Sequence, residues 1–180
     1  MIEQVIRFVL SNYPLVYFVI SLVVAGLSLA RLREPVTRAI ALETILKYYC
    51  LFGVGFFFVH NFVMHTFFGE VSAEYIGWED SPFQLEVGTA SLGFGLVGLL
   101  AYRKDFGLRL AAIVGPACFM WGAAAGHVYQ MVTAHNFAPG NAGVMFWMGA
   151  LLPPFGLILL AAWRRAQLTI STSQNLATYG

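Results

Sequence analysis

The stretch Leu110-Ala111-Ala112-Ile113-Val114-Gly115-Pro116-Ala117-Cys118-Phe119-Met120-Trp121-Gly122-Ala123-Ala124-Ala125-Gly126-His127-Val128-Tyr129 decides the fold. It contains no Asp, Glu, Lys or Arg over the roughly 20 residues that a helix needs to cross a bilayer core. In lipid no water reaches the peptide groups, so every N–H and C=O must be paired inside the segment, which a helix does unaided. This apolar run extends over 110–134, and four more lie at 12–31, 45–68, 83–102 and 143–163. None alternates polar and apolar residues as a membrane-barrel strand does. The pattern predicts an all-α, polytopic membrane helical bundle with about five transmembrane helices.

Composition points the same way. Of 180 residues, 59% are hydrophobic and 11% charged, with a mean hydropathy of +0.73, against about 25% charged in an ordinary soluble domain. The net charge of +1 is spread over short clusters between apolar runs, which argues against nucleic-acid binding. Cys50 and Cys118 both lie in apolar segments and read as small buried hydrophobes. Residues 1–11, with Glu3 and Arg7 at helical spacing, read as an interfacial segment. Residues 12–165 read as the bundle and 166–180 as a cytoplasmic tail. Arg31, Arg33 and Arg38 directly follow the first apolar run, which marks it as a retained span and not a cleaved signal.

Under five spans the basic residues fall on one side. Arg31, Arg33, Arg38 and Lys47 flank the first turnaround, Arg103, Lys104 and Arg109 the third, and Arg164 and Arg165 the exit. The other loops carry Glu70, Glu74, Glu79 and Asp80 without Lys or Arg. The positive-inside rule then places the N-terminus outside and the C-terminus in the cytoplasm. Only Arg7 dissents.

Small residues forecast helix contacts: Gly88, Ser91, Gly95 and Gly98 on the third span, and Gly115, Gly122 and Gly126 on the fourth. Pro116 and Pro153-Pro154 each remove a backbone donor, so kinks are expected there unless a helix boundary intervenes. His60-Asn61-Phe62 returns as His135-Asn136-Phe137, but the flanking residues do not match and no repeat is inferred.

The outward ends of three spans and one loop gather most of the polar groups expected at membrane depth. The second span brings His60 and then His65, about 7 to 8 Å apart along the axis and about 140° apart around it. Ser81, Pro82 and Gln84 read as the cap, first and third positions of a helix start. That start sets Glu86 on a face shared with Ala90 and Gly93, where a neighbouring helix could approach. The fourth span supplies His127 and Gln130, and the loop His135-Asn136-Phe137-Ala138-Pro139-Gly140-Asn141 adds Asn136 and Asn141, the latter as a cap for the fifth span. The candidate ligand-binding residues are thus His60, Asn61, Glu86, His127, Gln130, Asn136 and Asn141.

Several chemistries compete for this cluster. His60 and His127 could ligate haem, although no CxxCH motif is present. His60, Glu86 and His127 could hold a divalent metal. The same groups could bind a quinone head or relay protons. They could also form an interhelical hydrogen-bond network that fixes packing.

Ile76-Gly77-Trp78, Ser81-Pro82-Phe83-Gln84-Leu85-Glu86-Val87-Gly88, Trp121-Gly122, Gly126-His127 and Ala138-Pro139-Gly140-Asn141-Ala142-Gly143 together resemble an uncharacterised bacterial integral membrane family, a domain of unknown function. The resemblance covers about residues 45 to 160, through SPFQ-x-EVG and APGNAG-like motifs. It implies a shared centre at Glu86, His127 and Asn141 but no activity. The general plan is similar to small four-helix oxidoreductase-associated membrane proteins, in fold only. The expectation is a non-enzymatic membrane component, either an accessory subunit of a larger complex or a small-ligand-binding protein, in contact with the bilayer and with a membrane partner or further copies of itself. A metal-, haem- or quinone-binding redox protein is the first alternative. A small-solute or proton transporter is the second, with few polar groups on the inner halves of the spans to support it.

Overall fold

The computed structural model describes residue 8 and residues 11–103 and 105–179, with side-chain surroundings as far as residue 169. The expected interfacial segment at 1–11, Lys104 and the side chains of the tail beyond 169 lie largely or wholly outside these. The elements are α1 (Tyr13–Ala30), α2 (Arg38–Tyr48), a π-helical segment (Tyr49–Phe56), α3 (Phe57–Phe67), α4 (Gly69–Ile76), α5 (Phe83–Ala101), α6 (Phe106–Thr133), the single turn α7 (Pro139–Ala142) and α8 (Val144–Tyr179). No strand occurs among the described residues. Five helices are long and apolar enough to cross a membrane: α1, the continuous α2–π–α3 rod, α5, α6, and α7–α8 as far as Thr169.

Local chemistry explains several helix starts and stops. Thr37 accepts from Ile40 N at 3.3 Å and Asp105 from Leu108 N at 3.2 Å, each using a side-chain oxygen to satisfy a free N–H of the first turn. The expected cap at Ser81 is not made. Pro82 occupies the cap position of α5 without a side-chain bond, and Gln84 turns instead to His65. A tertiary partner has replaced the local one. The loop after the second span also folds into α4, which the apolar-run pattern does not forecast because it is short and carries Glu70 and Glu74.

The glycines of the third span work as expected. A Cβ on Gly98 would lie 2.6 Å from Gly55 N, and one on Gly95 would lie 2.9 Å from Val59 N, so α5 rests its backbone on the π segment and α3. The fourth-span stripe does not. Gly122 has nothing within 4 Å of its Cβ position, Gly126 meets only Trp78 at 3.5 Å, and Gly115 only Phe94 at 3.4 Å. This stripe makes space where a contact was expected.

Both proline sites lie inside continuous helices. Pro154 has no N–H for the Ala150 carbonyl, which instead accepts from Trp121 Nε1 at 3.4 Å and ties α8 to α6. The Tyr49 ring packs against Gly53 and Gly156, and its hydroxyl donates to Leu152 O at 2.8 Å, anchoring the π segment to α8.

Basic and acidic residues mark opposite ends of the bundle. At the basic end Arg109 is 2% exposed, with Nη2 3.5 Å from the half-exposed Glu43, Nε 3.4 Å from Ala101 O and its guanidinium 4.5 Å over the Trp163 ring. The acidic end, with α4, α7 and Trp78, holds the candidate site.

Candidate functional site

A cavity of about 490 Å³ lies at the acidic end, mainly between α3 and α6, with Pro14 of α1, Val87 of α5 and Met145, Phe146 and Gly149 of α8 completing the wall. Its floor is aromatic. Phe58 and Phe119 both line it, with ring centroids 6.1 Å apart, and each packs on Phe94, at 5.4 and 5.5 Å. Missing side chains shape the wall, since Gly122 and Gly149 both line it and neither has an atom within 4 Å of its Cβ position.

The loop before α8 roofs this space. His135 adopts φ +50°, reversing the chain after α6. Asn136 then donates from Nδ2 to Ile76 O (3.0 Å) and Gly77 O (2.9 Å), while its Oδ1 accepts from Ala138 N (3.0 Å). Gly77 ends α4 with φ +74°, a conformation open to glycine at little cost, and a Cβ there would also press on Asn136. Gly140 lets α7 approach the backbone of Tyr75 and Ile76, which a Cβ would meet at 2.7 to 3.0 Å.

Asn141 is 0% exposed and ties roof to wall. Its Oδ1 accepts from Trp78 Nε1 at 2.9 Å and lies 2.7 Å from His127 Nδ1, while Nδ2 donates to Asn136 O at 2.8 Å and His127 O at 3.2 Å. The expected capping role is therefore wrong: the side chain is spent on α6, Trp78 and its own loop, and no cap bond is made. The arrangement also fixes the His127 tautomer. Both Nδ2 partners are carbonyls that only accept, so the amide oxygen must face His127, whose Nδ1 donates to it. His127 lines the cavity, and among the described residues no protein group bonds its Nε2.

On the opposite wall Asn61 accepts from the Tyr13 hydroxyl and donates to Ser91 Oγ at 2.8 Å, and Ser91 donates on to Val87 O at 2.7 Å. This chain ties α1, α3 and α5 together. His65 lines the cavity with Nδ1 against Gln84. His60 is not part of the wall: it stacks on Tyr13 at 4.2 Å, with the Tyr17 hydroxyl 3.3 Å from its Nδ1.

Two further expectations fail. Glu86 is exposed on α5, on a face where Gly93 also meets nothing within 4 Å, so the face it shares with Ala90 and Gly93 points away from the bundle. The reason is that Gly88, Ser91, Gly95 and Gly98 take the inward face of the same helix. His60, Glu86 and His127 are accordingly not gathered, and among the described residues no three His, Cys, Asp or Glu side chains are placed to share a metal ion. Among the described residues Gln130 engages the roof only through its carbonyl, which accepts from Ala134 N and Asn136 N. The site thus retains Asn61 and His127 as wall residues and Asn136 and Asn141 as its frame.

Sequence reasoning missed Cys118, which is exposed and lines the cavity, and the contribution of the fifth span. The signal for the latter was Pro153-Pro154, which marks carbonyls in need of other donors. It also missed Trp78 as a bonded member of the site.

A model of a protein family described as a family of unknown function (DUF6790) matches residues 11–169. No curated protein and no solved structure matches the chain.

Proposed function

The chain belongs to the DUF6790 family, and we propose that it is a non-enzymatic, multi-pass membrane protein that binds a small apolar ligand in the cavity between α3 and α6. The observation that carries this reading is the cavity itself: about 490 Å³, walled by aromatic and small side chains, with a histidine held rigidly at its edge. Ligand sites are commonly cavities of about 300–1,000 Å³, largely apolar, with few convergent polar groups.

We assign it to the bacterial inner membrane on the resemblance of its motifs, and the distribution of charge supports an acidic end and N-terminus outside and a basic end and C-terminus in the cytoplasm. The cavity then belongs to the outer leaflet. The exposed α5 face bearing Glu86, Ala90 and Gly93 is the surface we assign to a partner helix, from another subunit or a second copy.

The test is displacement of a solvatochromic apolar dye from the protein in lipid nanodiscs. Gly122→Leu fills the cavity without a clash at Cβ, so it should fold normally and lose dye binding at least tenfold. Gly93→Leu, equally open but outside the cavity, should leave binding unchanged. Equal binding by Gly122→Leu and the unmodified chain would refute the proposal.

A further inference from the structure

We infer that the cavity selects a phenol or hydroquinone ring bearing an apolar substituent, and discriminates against the corresponding quinone; this rests on the ligand-binding reading above. The argument is one of donors and acceptors. Asn141 forces the His127 proton onto Nδ1, so Nε2 of the neutral ring is a lone pair, able to accept and unable to donate. A second acceptor belongs to a residue of the same wall. Gly149 lines the cavity, and its carbonyl lacks the usual helical donor because that position four residues on is Pro153.

The strong donors near the cavity are largely committed, which leaves one N–H of Asn61 and the weakly donating Cys118 thiol. Trp78 Nε1 donates to Asn141, the Tyr13 hydroxyl to Asn61, and Asn61 Nδ2 to Ser91. His65 can present either tautomer, because the Gln84 amide facing it makes no other side-chain bond among the described residues. The α6–α8 wall therefore offers two strong acceptors against one weak donor, the Cys118 thiol, and favours a ligand that brings the hydrogen. A quinone carbonyl would set lone pair against lone pair, leaving both part-buried groups unpaired, whereas a hydroxyl satisfies either.

The walls specify the rest of the molecule. Phe57, Phe58, Phe119, Phe146 and Trp78 present faces and edges on which an aromatic ring packs well. Benzene fills a dry protein cavity of about 150 Å³, so about 490 Å³ accommodates one substituted ring and the start of an alkyl chain.

The experiment compares three probes on the protein in nanodiscs, kept anaerobic: an alkyl hydroquinone, its dimethyl ether and the matching alkyl quinone. Ligand-induced thermal stabilisation gives the three affinities. The expected result is at least tenfold tighter binding of the hydroquinone than of either other probe. His127→Phe keeps an aromatic edge but no acceptor and should reduce that preference to less than threefold. Pro153→Ala restores an N–H to the Gly149 carbonyl while favouring the helix, and should weaken hydroquinone binding without weakening that of the ether. Equal or reversed preference in the unmodified chain, with binding still lost in Gly122→Leu, would overturn the donor rule and leave the cavity as a ligand site. Binding of none of the three would overturn both.

Discussion

At the scale of single residues, Asn141 carries the most structure for its size. Asn141→Ala would strand the Trp78 indole N–H and two carbonyls in a part-buried setting, and should lower stability by about 2 kcal/mol, read as a fall in thermal midpoint in detergent. Asn141→Asp keeps the acceptor and loses both donors, so it should be destabilising as well, whereas a simple capping role would tolerate Asp. His135, at φ +50°, gives a second contrast: His135→Val should cost about 1 kcal/mol and His135→Gly nothing, measured the same way. The identity of these residues as important was legible in the sequence, but their use was not. An asparagine beside a Pro-Gly turn looks like a cap because caps are local, and nothing local reveals that Trp78 and His127 arrive from other elements to claim it. Glu86 misled for the opposite reason. Its helix has small residues on two faces, and only the packing of Gly95 and Gly98 against α3 and the π segment tells which face is inward.

Among elements, the most legible were the five apolar spans, since length and hydropathy alone define them. What lay beyond sequence were the π segment and α4. An eight-residue π-helix within an apolar rod has no compositional marker, and it is held by distant partners such as the Tyr49 bond to Leu152. The α5 contact yields a prediction suited to this scale. Gly98→Leu would drive a side chain into the backbone at Gly55 and should prevent stable assembly, seen as aggregation on size-exclusion chromatography. Gly122→Leu should elute normally. Two glycines in similar apolar helices thus behave oppositely, one serving contact and the other void.

For the whole molecule, the two ends divide the work. The basic end is closed by Arg109, whose two side-chain polar contacts are long and whose Nη1 has no partner, so removing Glu43 exposes a poorly compensated buried cation. Glu43→Ala should cost about 1 kcal/mol, discounted because Glu43 is 45% exposed, and adding Arg109→Met should recover much of that loss. A double variant less stable than Glu43→Ala would show that the arginine is needed for packing on Trp163 and not merely tolerated. The acidic end stays open because Gly122 and Gly149 leave room and the Asn136 and Asn141 bonds keep the roof from collapsing into it.

The central claim is that this opening receives an apolar ligand, and Cys118 in its wall reports on that directly, with Cys50 at 0% exposure as the silent control. The decisive measurement is the rate at which a small maleimide alkylates Cys118 in membrane vesicles, with and without a saturating alkylphenol. The account predicts severalfold protection in the unmodified chain and none in Gly122→Leu; an unchanged rate in the unmodified chain would contradict it.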